Sequence, residues 1–178
     1  MADYHSPTVI QPTIPNADMT PLERLLLSHI FTAVPDGEGL HFFAKNTPCD
    51  RFELPVADLR AALAESAGAA STATTQLAEY IAIIRTHNGN VPIDFTDPWW
   101  EFILQDIVRR SPAISYITVV SAFTCTNTKK RPDGFGGMVT LITANTIKRK
   151  PIIDILEDLL ARAAVTLASG RLDDVADH

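Results

Sequence analysis

The spacing of apolar positions changes several times along the chain, and each change marks an element. Leu22, Leu25, Leu26, His29, Ile30 and Ala33 follow the period of one helical face. Ahead of them Thr20 is a natural N-cap, Pro21 has no N–H to lose in a first turn, and Glu23 completes a capping box. Pro35-Asp36-Gly37 closes this first helix. In "GLHFFA" (39–44) the period drops to two, with Leu40, Phe42 and Ala44 against His41 and Phe43, which predicts a strand. "RFEL" (51–54) is expected to return antiparallel to it across Asn46-Thr47-Pro48. A second helix opens at Pro55 with Val56, Leu59 and Leu63 on one face, and ends near Gly68.

The small, polar "AGAASTATT" (67–75) is expected to be a flexible loop. A third helix carries Leu77, Tyr80, Ile81 and Ile84 and stops at His87-Asn88-Gly89, where Asn and Gly tolerate the left-handed cap. "VPIDF" (91–95) fits a short edge strand, the place where a proline such as Pro92 is tolerated. Asp97-Pro98 then starts a fourth helix with the most regular stripe in the chain: Trp100, Ile103, Leu104, Ile107 and Val108. The strongest strand is "ISYITVVSAFTC" (114–125), which sends Ile117, Val119, Ser121, Phe123 and Cys125 to one side. A partner over 138–147 returns beside it. A last helix from Pro151 to about Gly170 places Ile152, Ile155, Leu156, Leu159, Leu160 and Ala163 on its inner face.

This order predicts an α+β fold: a small antiparallel or mixed sheet built around a strong hairpin (114–125 and 138–147), packed with about five helices. Residues 1–19, with three prolines and no sustained period, read as a flexible arm. In that arm Val9, Ile10 and Ile14 are apolar enough to lie along a sheet edge or a partner. Residues 20–170 form a single domain, and 171–178 an acidic tail.

Composition adds limits. The chain has 178 residues, of which 46% are hydrophobic and 20% charged, as expected of a globular domain with a core of its own. Cys49 and Cys125 have neither metal-ligand spacing nor a disulfide framework. No signal peptide and no membrane-spanning run is evident, so a cytoplasmic location is expected. Net charge is −6, but the arm and the tail hold much of it, and the body between them is nearly balanced. A local basic patch is therefore compatible with an acidic protein.

Four features carry candidate chemistry. The connection from Thr126 to Gly137 contains three consecutive cations, Pro132-Asp133-Gly134 and Phe135-Gly136-Gly137. A phosphate-binding glycine loop follows a strand and opens a helix, whereas a strand follows these glycines, which excludes that reading. A long hairpin loop remains, with Arg131, Asp133 and Phe135 as contact candidates. Second, antiparallel pairing of the hairpin is expected to bring Arg109 and Arg110 toward Lys148, Arg149 and Lys150, a cluster able to bind phosphate, nucleic acid or an acidic partner. Solvated cations and helix C-terminal charges account for the same residues.

Third, Asp94, Asp97, Glu101 and Asp106 are close in sequence, but Asp97 and Glu101 are explained by helix N-terminal preferences. No metal and no cofactor is expected. Fourth, Trp99 adjoins the apolar stripe without belonging to it, and such a tryptophan suits an interface. For nucleophilic chemistry Cys125 would need a base such as His29, His41 or His87, and its alternation with Ile117, Val119 and Phe123 favours a packing role. The residues favour a non-catalytic protein-binding or self-associating module with a protein partner or a second copy as its ligand. A nucleic-acid or phosphate-ligand binder is the alternative. An enzyme with the 126–137 loop beside its pocket stands third.

Overall fold

The computed structural model describes residues 3–84, 89–95, 99–126 and 136–173. They form an α+β fold with five α-helices and a mostly antiparallel sheet. The chain begins with three short strands, β1 (Asp3–His5), β2 (Thr8–Gln11) and β3 (Ile14–Pro15), and one helical turn, Asn16–Asp18. Helix α1 (Pro21–Ile30) leads to the hairpin of β4 (Thr32–Asp36) and β5 (Gly39–Ala44), and then to β6 (Arg51–Pro55). Helices α2 (Val56–Glu65) and α3 (Thr72–Ile83) precede β7 (Asn90–Asp94) and α4 (Trp99–Arg110). The long strands β8 (Tyr116–Thr126) and β9 (Gly136–Thr143), the short β10 (Ile147–Pro151) and helix α5 (Ile152–Asp173) complete it.

The main sheet runs β10-β9-β8-β2-β5-β3, with β1 also on β8 and β4 on the other edge of β5. The segment expected to be a flexible arm is thus the middle of the sheet. Val9 pairs with Val120 on one side and Phe43 on the other, and Ile10 and Ile14 are fully buried. Prolines 7 and 12 do not prevent this, because they fall at the breaks between β1, β2 and β3. The bond between Gln11 and Pro12 is cis. Gly39 makes the docking possible, since a Cβ there would sit 2.5 Å from the carbonyl oxygen of Ile14.

Three local expectations shift for non-local reasons. Helix α1 ends at Ile30, and Thr32–Asp36 instead pairs with β5. Strand β6 pairs with β7 in a separate two-stranded sheet and not with β5. Two backbone bonds redirect that segment, from Cys49 N–H to Ile30 O (2.8 Å) and from Phe95 N–H to Asp50 O (2.6 Å). Strand β9 ends at Thr143, where a turn closed by Thr143 N–H to Thr146 O (2.9 Å) reverses the chain into β10.

The capping box on α1 is formed as expected, and its Glu23 does more than cap. This carboxylate is fully buried, accepting from Thr20 N–H (2.9 Å), Ser71 Oγ (2.7 Å) and Arg110 Nη2 (2.5 Å). It joins the start of α1, the start of α3 and the end of α4. Nearby, Asp106 of α4 caps α3 from outside by accepting from Thr72 N–H (2.6 Å), where Ser71 makes no side-chain cap bond of its own. The core lies on the inner face of the main sheet, where Ile10, Phe42, Ile117, Val119 and Ile142 meet Leu22, Leu26, Ile103 and Ile107 from α1 and α4.

Candidate interaction surface

Strand alternation fixes what the other side of the sheet presents. With Ile117 and Val119 directed inward, Tyr116, Thr118 and Val120 of β8 point outward. They stand beside Thr143, Leu141 and Val139 of β9 and, at Val120, Val9 of β2. Val9, Tyr116, Val120 and Leu141 remain 38–53% exposed. Toward β4 the surface deepens into a cleft of about 960 Å³ whose lining includes Pro12, Val34, Asp36, His41, Ile114 and Tyr116. An apolar sheet face left this open is unusual for a domain that functions alone.

Helix α5 begins at the opposite margin of this face. Ile152 lies over Gly137, where an added Cβ would overlap the Ile152 side chain and approach Ser121 O to 2.9 Å. Lys150 pairs with Asp158, tying the second turn of the helix to β10. That contact, first through the hydrogen bond and then through the charge of Lys150, holds the Asp158 carboxyl below its ordinary range. The stripe expected to face inward is largely uncovered. Ile155 is half-buried, but Ile152, Leu156, Leu159 and Leu160 are 44, 49, 57 and 61% exposed. The period of the stripe correctly marks a helix and an apolar face, yet the rest of the described chain does not cover that face.

The basic residues do not converge. Arg109 donates to Asp106 Oδ1 (2.8 Å), Gln105 Oε1 (2.9 Å) and Ala144 O (2.7 Å), while Arg110 is bound by buried Glu23. Because β10 runs back along β9, Arg149 is carried to the first turn of α4, where it makes a bidentate pair with buried Glu101. Glu101 lies eight residues before Arg109, roughly 12 Å along the helix. Lys150 faces Asp158, and Lys148 is exposed with no ion pair among the described residues. Four of the five cations therefore spend their charge inside this chain, which removes the geometric support for a nucleic-acid or phosphate patch.

The acidic residues are likewise dispersed. Asp94 pairs with Arg51 (3.1 Å), Glu101 with Arg149 and Asp106 with Arg109. Among the described residues no three His, Cys, Asp or Glu side chains gather into a metal-holding group. Cys49 is exposed, with its thiol directed at Arg51 O (3.2 Å). His29 stacks on Phe52 and His41 lies beside Phe43. Arg131, Asp133, Phe135, Asp97 and His87 lie outside the described residues.

Trp99 is half-buried and meets the Phe95 ring edge-on (5.2 Å), while Trp100 packs edge-on against Phe31. It borders a cavity that periodicity could not reveal, because its walls come from α3, β7 and α4 together. Compared with known proteins, the chain matches no family model, no curated protein and no solved structure. No helix among the described residues is long and apolar enough to cross a membrane.

Proposed function

We propose that the protein is a non-catalytic self-associating module, in which a second copy of the chain covers helix α5 and the outer face of the main sheet. One observation carries the reading: a single chain displays both an uncovered apolar helix stripe and an uncovered apolar sheet face with a cleft in it. The two surfaces complement each other in kind, so a symmetric pair can bury both with one repeated contact. Fully burying one leucine or isoleucine contributes about 1.5–3 kcal/mol. The four exposed residues of the stripe are already about half covered and contribute about half of that each, and Val9, Tyr116, Val120 and Leu141 of the sheet face add to it against the cost of association. Arg109, Arg110 and Arg149 are engaged in ion pairs within the fold, and Lys148 of the edge strand β10 stands beside Leu141 at the margin of the outer face.

Light scattering coupled to size-exclusion chromatography tests it. The expected result is a dimer or closed oligomer at micromolar concentration. Leu156→Glu with Leu160→Glu should give a monomer with an unchanged circular dichroism spectrum. Val120→Asp, on the sheet face, should do the same. A wild-type chain that stays monomeric at submillimolar concentration refutes self-association. An oligomer indifferent to all three substitutions places the contact elsewhere and refutes this surface.

A further inference from the structure

We propose that the cavity bounded by α3, β7 and the first turn of α4 is a binding site for an organic ammonium ion. It holds about 470 Å³, a size suited to a small ligand or one long side chain. Three of its lining residues are aromatic: Tyr80, Phe95 and Trp99. Phe95 is buried, stacked on Phe52 (5.9 Å) and in edge contact with Trp99 (5.2 Å, 81°), so it backs the half-buried Trp99 at the cavity margin. Tyr80 is fixed by its hydroxyl, which donates to Pro92 O (3.0 Å). Aromatic faces carry negative charge density and attract a cation that has shed its water, which is how methylated ammonium groups are held elsewhere.

The polar groups of the lining favour the same ligand. Glu79 and Asp94 supply two carboxylates, and Arg51 balances one of them through its pair with Asp94 Oδ2 (3.1 Å). Among the described residues the charge of the lining is negative, which favours a cation over an anion. Gln76, also in the lining, has a buried side-chain oxygen with no hydrogen-bond partner among the described residues. Turned toward the cavity, that amide oxygen would accept an N–H brought in by the ligand. Aromatic walls, acidic rim and unmet acceptor together specify an alkylated ammonium that keeps at least one N–H. Such a group is found on free amines and on methylated lysine side chains.

This site shares no residue with α5 or the outer sheet face, so it is independent of self-association. Its test is titration of the full chain, followed by heteronuclear NMR at the Trp99 indole N–H, assigned with a Trp100→Phe variant. The probes are protonated dimethylethanolamine, choline and the uncharged carbon isostere of choline. Saturable shifts are expected with the first two, the N–H-bearing ion binding more tightly, and none with the isostere. Glu79→Gln, at an exposed position, should weaken binding roughly tenfold without altering the fold. Trp99→Leu, followed by isothermal titration calorimetry because it removes the reporting indole, should abolish it. Equal binding of the uncharged isostere, no saturation by either cation, or indifference to Glu79→Gln overturns the proposal. A peptide carrying dimethyllysine separates the two sources: tighter binding than the free amine assigns the site to a protein chain, and equal binding to a small amine.

Discussion

Glu23 shows how one side chain can serve local and long-range order at once. In the sequence it is the third position of a capping box, a role set by its neighbour Thr20. In the folded chain the same carboxylate accepts from Ser71 and Arg110, residues far away in sequence, and is wholly removed from water. Such a group stabilises only while its partners remain, because breaking a buried pair leaves a charge and donors without compensation. Glu23→Ala is expected to lower stability by about 3–5 kcal/mol, seen as an earlier urea midpoint with an unchanged slope. The exposed Glu53 is the control: Glu53→Ala should stay within about 0.5 kcal/mol of the parent. The ionic roles of Arg110 and Arg149 were not legible in the sequence. A cation near a helix end or in a connector looks solvated until a distant buried carboxylate is placed against it.

At the scale of elements, α5 is held to the sheet by two features of its first turns. Gly137 lets Ile152 sit against β9, and Lys150 pairs with Asp158. Gly137→Val should displace the start of the helix, raising amide exchange in its first two turns while the core strands keep their protection. The ion pair has its own pH signature. A carboxyl whose folded pKa is lowered contributes stability that is present above its unfolded pKa and lost as pH falls through the lowered value. The Asp158 side chain should therefore titrate at a pH below an ordinary aspartate when followed by NMR. Lys150→Ala should return that midpoint to the ordinary range. Helices α1 and α4 were readable locally, from a capping box and a regular stripe. The partner of β6 was not, because helices α2 and α3 separate β6 from β7 in the chain and no local signal links the two strands.

At the scale of the whole molecule, the apolar surface is divided between a filled inner face and an open outer one. If a second copy fills the outer face, folding and association are linked, and the melting temperature should rise with protein concentration. Differential scanning over a wide concentration range checks this. The Leu156→Glu, Leu160→Glu variant should melt at one temperature throughout. The aromatic cavity is a second whole-molecule property, assembled from three elements separated in sequence.

The sequence by itself determined the elements whose signals are local: the cap and stripe of α1, the regular α4, the alternation of β5 and β8, and the α+β class that their order implies. These depend on periods and on residues within a turn or two of each other, and such contacts are present before the chain closes on itself. Tertiary structure alone decided the rest. It placed the proline-broken N-terminal strands in the middle of the sheet, sent β6 to β7, and consumed four of five basic residues in ion pairs. It also left uncovered a helix face whose pattern had indicated burial. A hydrophobic period shows that a face avoids water; which surface covers it is settled by the position of everything else.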